Sequence, residues 1–262
     1  MRTENDGISA AAAVARIKSP IPDMTERPGI LLWRYGTLPA EALLAAMHSE
    51  FPGRLALVSS FGTTSAVLLH MIAGLDRTLP VLFLDTEKLF GETLRYRDRL
   101  VEQLGLRDVR SIRPDAAALA SQDQDGTLWA RDPDLCCRIR KVEPLERALA
   151  GFDAWITGRR REQGGARSTL APIEGSDERL KINPLAAWSA EDVAAYMLSH
   201  RLPLHPLEED GYRSIGCMPC TDRVTPGEEA RAGRWRNRDK VECGIHQPDA
   251  ARGANRNFGV DE

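Results

Sequence analysis

The hydrophobic positions of the chain alternate between two rhythms. Leu55–Val58 is a short apolar run of strand length, ending in the small-residue loop Ser59-Ser60-Phe61-Gly62-Thr63-Thr64-Ser65. Ala66–Ile72 continues with helical character. Val81–Leu84 repeats the buried-strand pattern and runs into the polar turn Asp85-Thr86-Glu87-Lys88. A helix-period segment follows, with Phe90, Leu94, Leu100, Val101 and Leu104 apolar and Gly105 at a C-cap position. Val109–Ile112, Ala154–Thr157 and Leu180–Ile182 predict three further strands, and Ser189 stands as N-cap of the amphipathic stretch Ala190–Ser199. Strands alternating with helices predict an α/β fold, a mostly parallel sheet with helices on both faces. Ligands bind such sheets beyond the carboxyl ends of the strands. The loops Ser59–Ser65, Asp85–Lys88 and Gly158–Arg167 each follow a strand, so they are expected to converge on one crevice.

Composition narrows the class. The 262 residues are enough for a substantial core without disulfides. Thirty-five basic against 38 acidic residues leave a net charge of −3, which argues against a general nucleic-acid binder. No stretch approaches the ~20 apolar residues that span a bilayer, and the N-terminus has no apolar signal core. A cytoplasmic protein with no membrane and no nucleic-acid partner is expected; homo-oligomerisation stays open. The first residues are Ala-rich, then punctuated by Pro20, Pro22 and Pro28. Residues 1–29 therefore read as a mobile arm, 30–230 as the α/β domain and 231–262 as a flexible C-terminal segment. There is no internal repeat.

The loop Ser59–Ser65 offers hydroxyls and a glycine ahead of a helix, where backbone N–H groups and the helix dipole favour anions. It is not a Walker A loop, because no Gly-Lys-Ser/Thr follows. Arg159, Arg160, Arg161 and Arg167 lie within nine residues. Such a cluster repels itself unless carboxylates or a bound anion compensate, and guanidinium forks match phosphate and sulfate oxygens. A second basic group, Arg231, Arg234, Arg236 and Arg238, surrounds Trp235. A small anionic ligand suits both groups; a solvated surface loop is the plainer alternative.

All five cysteines fall after residue 135: Cys136, Cys137, Cys217, Cys220 and Cys243. An odd number without an export signal points to a reducing compartment, where clustered thiols bind metal or do chemistry. Cys217-Met218-Pro219-Cys220 together with Cys136-Cys137 supplies four sulfurs, enough for a tetrahedral zinc or a 4Fe–4S cluster. Adjacent cysteines suit the larger cluster better. A thioredoxin-like redox C-x-x-C is the rival, and it leaves Cys136 and Cys137 without a role. Cys243 stands alone in Lys240-Val241-Glu242-Cys243-Gly244-Ile245-His246. It reads as a nucleophile or as an incidental surface thiol, with Lys240 and His246 favouring the thiolate and Glu242 opposing it.

Several segments together resemble the assimilatory sulfonucleotide reductases, and within them the iron–sulfur adenylyl-sulfate (APS) reductases. They are Ser59-Ser60-Phe61-Gly62 with Ser65, Leu84-Asp85-Thr86, Cys136-Cys137 with Arg140-Lys141-Val142-Glu143-Pro144-Leu145, Thr157-Gly158-Arg159-Arg160, and Lys181-Ile182-Asn183-Pro184-Leu185. The series continues through Gly211-Tyr212, Ser214-Ile215-Gly216-Cys217-Met218-Pro219-Cys220-Thr221, Gly233-Arg234-Trp235 and Glu242-Cys243-Gly244-Ile245-His246. The resemblance implies an adenine-nucleotide α-hydrolase-like (PP-loop type) fold whose residues 30–230 bind a sulfonucleotide. It implies a 4Fe–4S cluster on Cys136, Cys137, Cys217 and Cys220, and a C-terminal segment that brings Cys243 over the substrate. Cys243 would attack the sulfur of APS, AMP would leave, and thioredoxin or glutaredoxin would release sulfite from the S-sulfocysteine. Lys141 and His246 would act beside Cys243. Ser59, Ser60, Phe61, Gly62, Ser65, Leu84, Asp85, Thr86, Gly158, Arg159, Arg167, Arg231 and Arg234 would hold the substrate.

The chain departs from that pattern at Glu87, where the family has glycine, at Thr63 and Thr64 in the nucleotide loop, and at Asp222. The carboxylate of Glu87 could crowd the nucleotide. Three rivals remain: a reductase of the 3′-phosphorylated nucleotide PAPS, an ATP pyrophosphatase of the same fold, and a non-catalytic iron–sulfur sensor. The ATP pyrophosphatase would need a glycine-richer loop than Ser59–Ser65.

Overall fold

The structure is a computed structural model that describes residues 27–175 and 179–246. The N-terminal arm expected over residues 1–29 lies outside the described residues as far as 26. Its last three residues are instead the first turn of helix α1 (Arg27–Tyr35). Leu31 of α1 is buried, and the Arg27 guanidinium lies 4.5 Å from the centre of the Phe51 ring. Of the C-terminal segment, residues beyond 246 lie outside the described part.

The chain continues through α2 (Ala40–Glu50), β1 (Leu55–Ser59), α3 (Ser65–Leu75), β2 (Val81–Leu84), α4 (Gly91–Leu104) and β3 (Val109–Ile112). Short helices follow, α5 (Ala116–Gln122), α6 (Leu128–Arg131) and α7 (Pro133–Cys137), then a π-helical turn (Arg138–Val142) and α8 (Glu143–Leu149). The last regular elements are β4 (Ala154–Ile156), β5 (Ile173–Glu174), β6 (Leu180–Ile182) and α9 (Ala190–Ser199). The strands form one sheet in the order β3-β2-β1-β4-β6-β5. Every pairing is parallel except β5 against β6.

Alternation along the strands divides the core in two, since successive side chains point to opposite faces. Leu55 and Leu57 of β1 and Val81 and Phe83 of β2 pack with α2, α3, α4 and α9. Ala56, Leu82, Leu84 and Trp155 face α8 through Leu145 and Leu149. Five of the strands and helices α3, α4 and α9 lie where the hydrophobic pattern puts them. Gly105 closes α4 at φ +66°, a left-handed conformation that glycine adopts without a Cβ clash. Ser189 caps α9 by accepting from the Asp192 N–H at 3.1 Å, and Asp192 returns the bond at 2.8 Å.

Strand β5 escapes the pattern because two residues carry no alternation. Helices α5 to α8 are each about two turns or less, too short to write a stripe. In α2 the buried positions Ala40, Leu43, Leu44 and Met47 keep helical spacing, but the surrounding alanines blur the contrast between faces.

Beyond α9 the chain is irregular and is anchored through His205, which is fully buried. Its Nδ1 accepts from the Leu207 N–H at 3.2 Å, so Nε2 carries the proton and faces the Thr93 hydroxyl at 3.1 Å. Burial pushes its pKa down to about 4. The unfolded chain therefore takes up a proton below pH 6.5 that the folded protein refuses until about pH 4, so stability falls as pH drops through that window. In urea unfolding at stepped pH, His205→Asn, which keeps a side chain able to cap Leu207, is expected to flatten that slope.

Candidate active site

The strand order turns at β1, with β2 on one side and β4 on the other. The loops leaving β1, β2 and β4 meet there, as such switch points do in open α/β sheets. They enclose a cavity of about 250 Å³. The β1 loop contributes Ser59, Ser60, Gly62 and Ser65, the end of β2 contributes Leu84 and Thr86, and the β4 loop contributes Gly158, Arg159 and Arg167. Lys141 comes from the π-helical turn, and Arg231, Arg234 and Cys243 come from the C-terminal segment.

Phe61, Asp85 and His246 do not line the cavity. Phe61 is buried in the core at φ +48°, with its ring edge-on to Phe83 at 5.3 Å; it shapes the loop from beneath. Asp85 accepts from the Glu87 N–H at 3.2 Å and pairs with Arg113 at 3.3 Å, which fixes the turn after β2. The His246 ring stacks on Trp155, the planes 1° apart and the centroids 5.3 Å apart. Burial and the surrounding cations Arg159, Arg167, Lys181 and Arg231 hold its pKa well below the ordinary histidine value. His246 is thus a neutral ring, and its Nδ1 has no hydrogen-bond partner among the described residues.

Three of the four arginines of this loop pair with carboxylates, and Arg161 donates to the Leu170 carbonyl at 2.8 Å. Arg159 pairs with Glu174 and also donates to Asn183 Oδ1 at 3.2 Å. Arg160 pairs with Glu162 at 2.7 Å. Arg167 donates to Gln163 and holds Glu242 through two bonds of 2.7 and 3.0 Å. Arg231 reaches the same carboxylate at 3.3 Å, and burial together with Arg167 brings its pKa down to about 10. Lys141, Arg213 and Arg234 are the cavity cations with no carboxylate within ion-pair distance among the described residues. Gly216 makes room for Arg234, because a Cβ at that position would sit 2.2 Å from Nη2.

Cys136 and Cys137 end α7, whose first turn is capped by the Asp132 carboxylate accepting from the Asp134 and Leu135 N–H groups at 3.1 and 2.9 Å. Cys217 and Cys220 flank a 3-10 turn that docks on the β2 loop: the Met218 N–H donates to the Lys88 carbonyl at 2.7 Å, and Cys217 Sγ lies 3.2 Å from the Thr86 hydroxyl. The four cysteines line one small cavity together with Trp129, Arg140 and Lys141. All are free thiols.

Among the described residues no three His, Cys, Asp or Glu side chains converge on a point that would hold a single metal ion. Four thiols lining one space are a donor set that fits a metal or an iron–sulfur group. Burial raises Cys136 to about 12 and Cys137 to about 11, as thiols without metal. Burial also opposes the Cys217 thiolate, but Lys141, Thr86 and Arg234 outweigh it and lower its pKa.

The segment from Arg231 to His246 is docked rather than free. Ile245 packs on the α8 side of the sheet, and the His246 carbonyl accepts from Lys181 Nζ at 3.0 Å. Lys240 is not beside Cys243; it pairs with Asp134 and lies over the Trp235 ring. Glu87 does not crowd the cavity either. It sits at φ +58°, with its carboxylate 3.7 Å from Arg140. The positive φ explains why glycine is at home there. Cavity residues that the sequence pattern passed over include Gln163 and Arg213; neither belongs to a motif with a chemistry of its own.

This arrangement defines a nucleotide-binding-type α/β protein of the adenine-nucleotide α-hydrolase-like fold. A Candida glabrata FMN adenylyltransferase shares the architecture, with TM-score 0.51, 15% identity and coverage of 87% of this chain and 79% of that one. The phosphoadenosine phosphosulfate reductase domain matches residues 54–223, and the chain belongs to that family. An adenosine 5′-phosphosulfate reductase of Mesorhizobium japonicum is 53% identical over 81% of this chain and 84% of its own length. A phosphoadenylyl-sulfate (PAPS) reductase structure from Candida auris superposes with TM-score 0.66 at 28% identity, covering 78% of this chain and 99% of that one.

Two substitutions check the geometry. Gly216→Ala should displace Arg234 and raise the KM for an anionic nucleotide about tenfold, with the thermal midpoint little changed. Glu87→Gly should leave that KM within about twofold of wild type, because its carboxylate faces Arg140.

Proposed function

We propose that this chain reduces adenylyl sulfate to sulfite and AMP by way of an S-sulfocysteine on Cys243. The observation that carries this reading is Cys243 lining the strand-end cavity together with Lys141 and Arg234, cations with no carboxylate within ion-pair distance among the described residues. The Cys243 thiolate attacks the sulfur of the sulfate group. The S–O bond to the phosphate breaks, and its electron pair leaves with AMP. A thiolate of a dithiol donor, thioredoxin or glutaredoxin, then attacks Cys243 Sγ and releases sulfite. The donor's second thiol resolves the mixed disulfide, so the donor is oxidised to its disulfide and Cys243 returns as a thiolate.

A thiolate and a sulfate repel one another, so fixed positive charge is the main source of rate. Burial disfavours the Lys141 cation, but the neighbouring sulfurs of Cys217, Cys243 and Cys137 outweigh it and raise its pKa. Lys141 thus stays charged between the sulfurs. The β1 loop and the N-terminus of α3 offer backbone N–H groups to the nucleotide. His246, neutral against Trp155, anchors the segment beyond Cys243. Cys136, Cys137, Cys217 and Cys220 would hold a 4Fe–4S cluster, whose charge would act on Lys141 and whose electrons the thiol chemistry does not need.

The PAPS reading draws support from the name of the Candida auris neighbour. The two cysteine pairs favour APS, and comparing kcat/KM for the two nucleotides decides between them. The setting we infer is sulfate assimilation for cysteine biosynthesis in the cytoplasm; no helix among the described residues is long and apolar enough to cross a membrane.

Incubating anaerobically purified protein with labelled APS and no reductant should leave a sulfonate on Cys243, read by mass spectrometry. Cys243→Ser should lose both the adduct and sulfite release while keeping the brown absorbance of a cluster. Undiminished sulfite release by that variant would rule the mechanism out.

A further inference from the structure

Glu242 immediately precedes the proposed nucleophile, and among the described residues it is the one acid that lines the cavity. Arg167 grips it with Nε at 2.7 Å and Nη2 at 3.0 Å, a bidentate fork. Arg231 Nη2 stands 3.3 Å from the same carboxylate and donates to the Val241 carbonyl at 2.9 Å. Gln163 fixes the remaining edge of the Arg167 guanidinium. The arginine side chains are only 11% and 18% exposed, so solvent screens this pairing less than a surface bridge.

Apolar packing does not hold this stretch: the Val241 side chain is 78% exposed. The next anchors are Ile245 and His246, on the other side of Cys243. Cys243 therefore hangs between a charged clamp and an apolar one.

We propose that Glu242 is a positioning residue, whose clamped carboxylate seats Cys243 in the cavity for attack on sulfur. This rests on the reading of Cys243 as the sulfur acceptor. It also divides the cations: Arg167 and Arg231 hold the segment, while Lys141 and Arg234 meet the substrate's anionic groups. The competing idea is that Glu242 only occupies an anion site that substrate takes over. In that case removing its charge would tighten nucleotide binding.

The test uses the cluster-loaded protein with Glu242→Gln and Glu242→Asp. Alkylation of Cys243 by iodoacetamide, without nucleotide, is followed by mass spectrometry across pH. Plateau rates are compared where the thiol is fully ionised, which removes any effect of Glu242 on the thiol pKa. Single-turnover sulfonation by saturating APS and the Kd for AMP are measured alongside.

Glu242→Gln should raise the plateau alkylation rate about tenfold, slow sulfonation about tenfold and leave the Kd for AMP unchanged, the size expected for a lost charge-assisted pair. Glu242→Asp should recover part of both rates. Wild-type rates in Glu242→Gln would overturn the proposal, as would tighter AMP binding with faster sulfonation. If wild-type protein forms no adduct with APS, the reductase reading fails, while the alkylation comparison still decides whether Glu242 seats Cys243.

Discussion

Burial of positive charge at the carboxyl ends of the strands is the constraint around which the rest of this molecule is arranged. A guanidinium removed from water is costly unless paired and hydrogen-bonded. Arg159 therefore fastens the β4 loop to Glu174 of the edge strand β5, and Arg167 fastens it to the C-terminal segment through Glu242. Each ion pair joins two stretches of chain that have no backbone ladder between them. The walls of the cavity are held by charge where secondary structure runs out.

The same constraint bears on the cavity cations that stand without a carboxylate among the described residues. Arg234 enters the space left by Gly216 and lies over the Trp235 ring at 4.5 Å, a contact that stabilises a cation without cancelling its charge. Lys141 and Cys217 line both the strand-end cavity and the four-cysteine cavity. The π-helical turn directly after Cys137 carries Lys141 and shifts its direction relative to a regular helix, a distortion often found at functional sites. A group bound by the four cysteines and an anion in the larger cavity would therefore act on the same ammonium.

Much of the plan is legible along the chain. The buried runs at Leu55, Val81, Val109, Ala154 and Leu180 announce the parallel sheet, because strands covered on both faces must be continuously apolar. The cysteine pairs and the loops after β1 and β4 announce the chemistry, because few other uses explain those residues at that spacing. Less legible is anything that depends on a partner far away in sequence. Glu242 reads as a charge opposed to the thiolate until Arg167, 75 residues earlier, is seen to neutralise it. Lys240 reads as a helper of Cys243 until it is found on Asp134. Phe61 sits in a motif that suggests substrate contact and His246 in one that suggests catalysis; only the fold shows that their rings pack on Phe83 and Trp155.

The sequence by itself determined the sheet, the nucleotide-side loops, the separation of one thiol from four, and the family. The first three follow from local periodicity or from residue types at short spacing; the family follows from the resemblance of whole motifs to known reductases. Only the tertiary structure decided which charges cancel, that the π-helical turn carries Lys141 to the boundary of both cavities, and that residues 231–246 pack against the domain. Those outcomes depend on distance in space and on exclusion of water, and neither is written in the order of the residues.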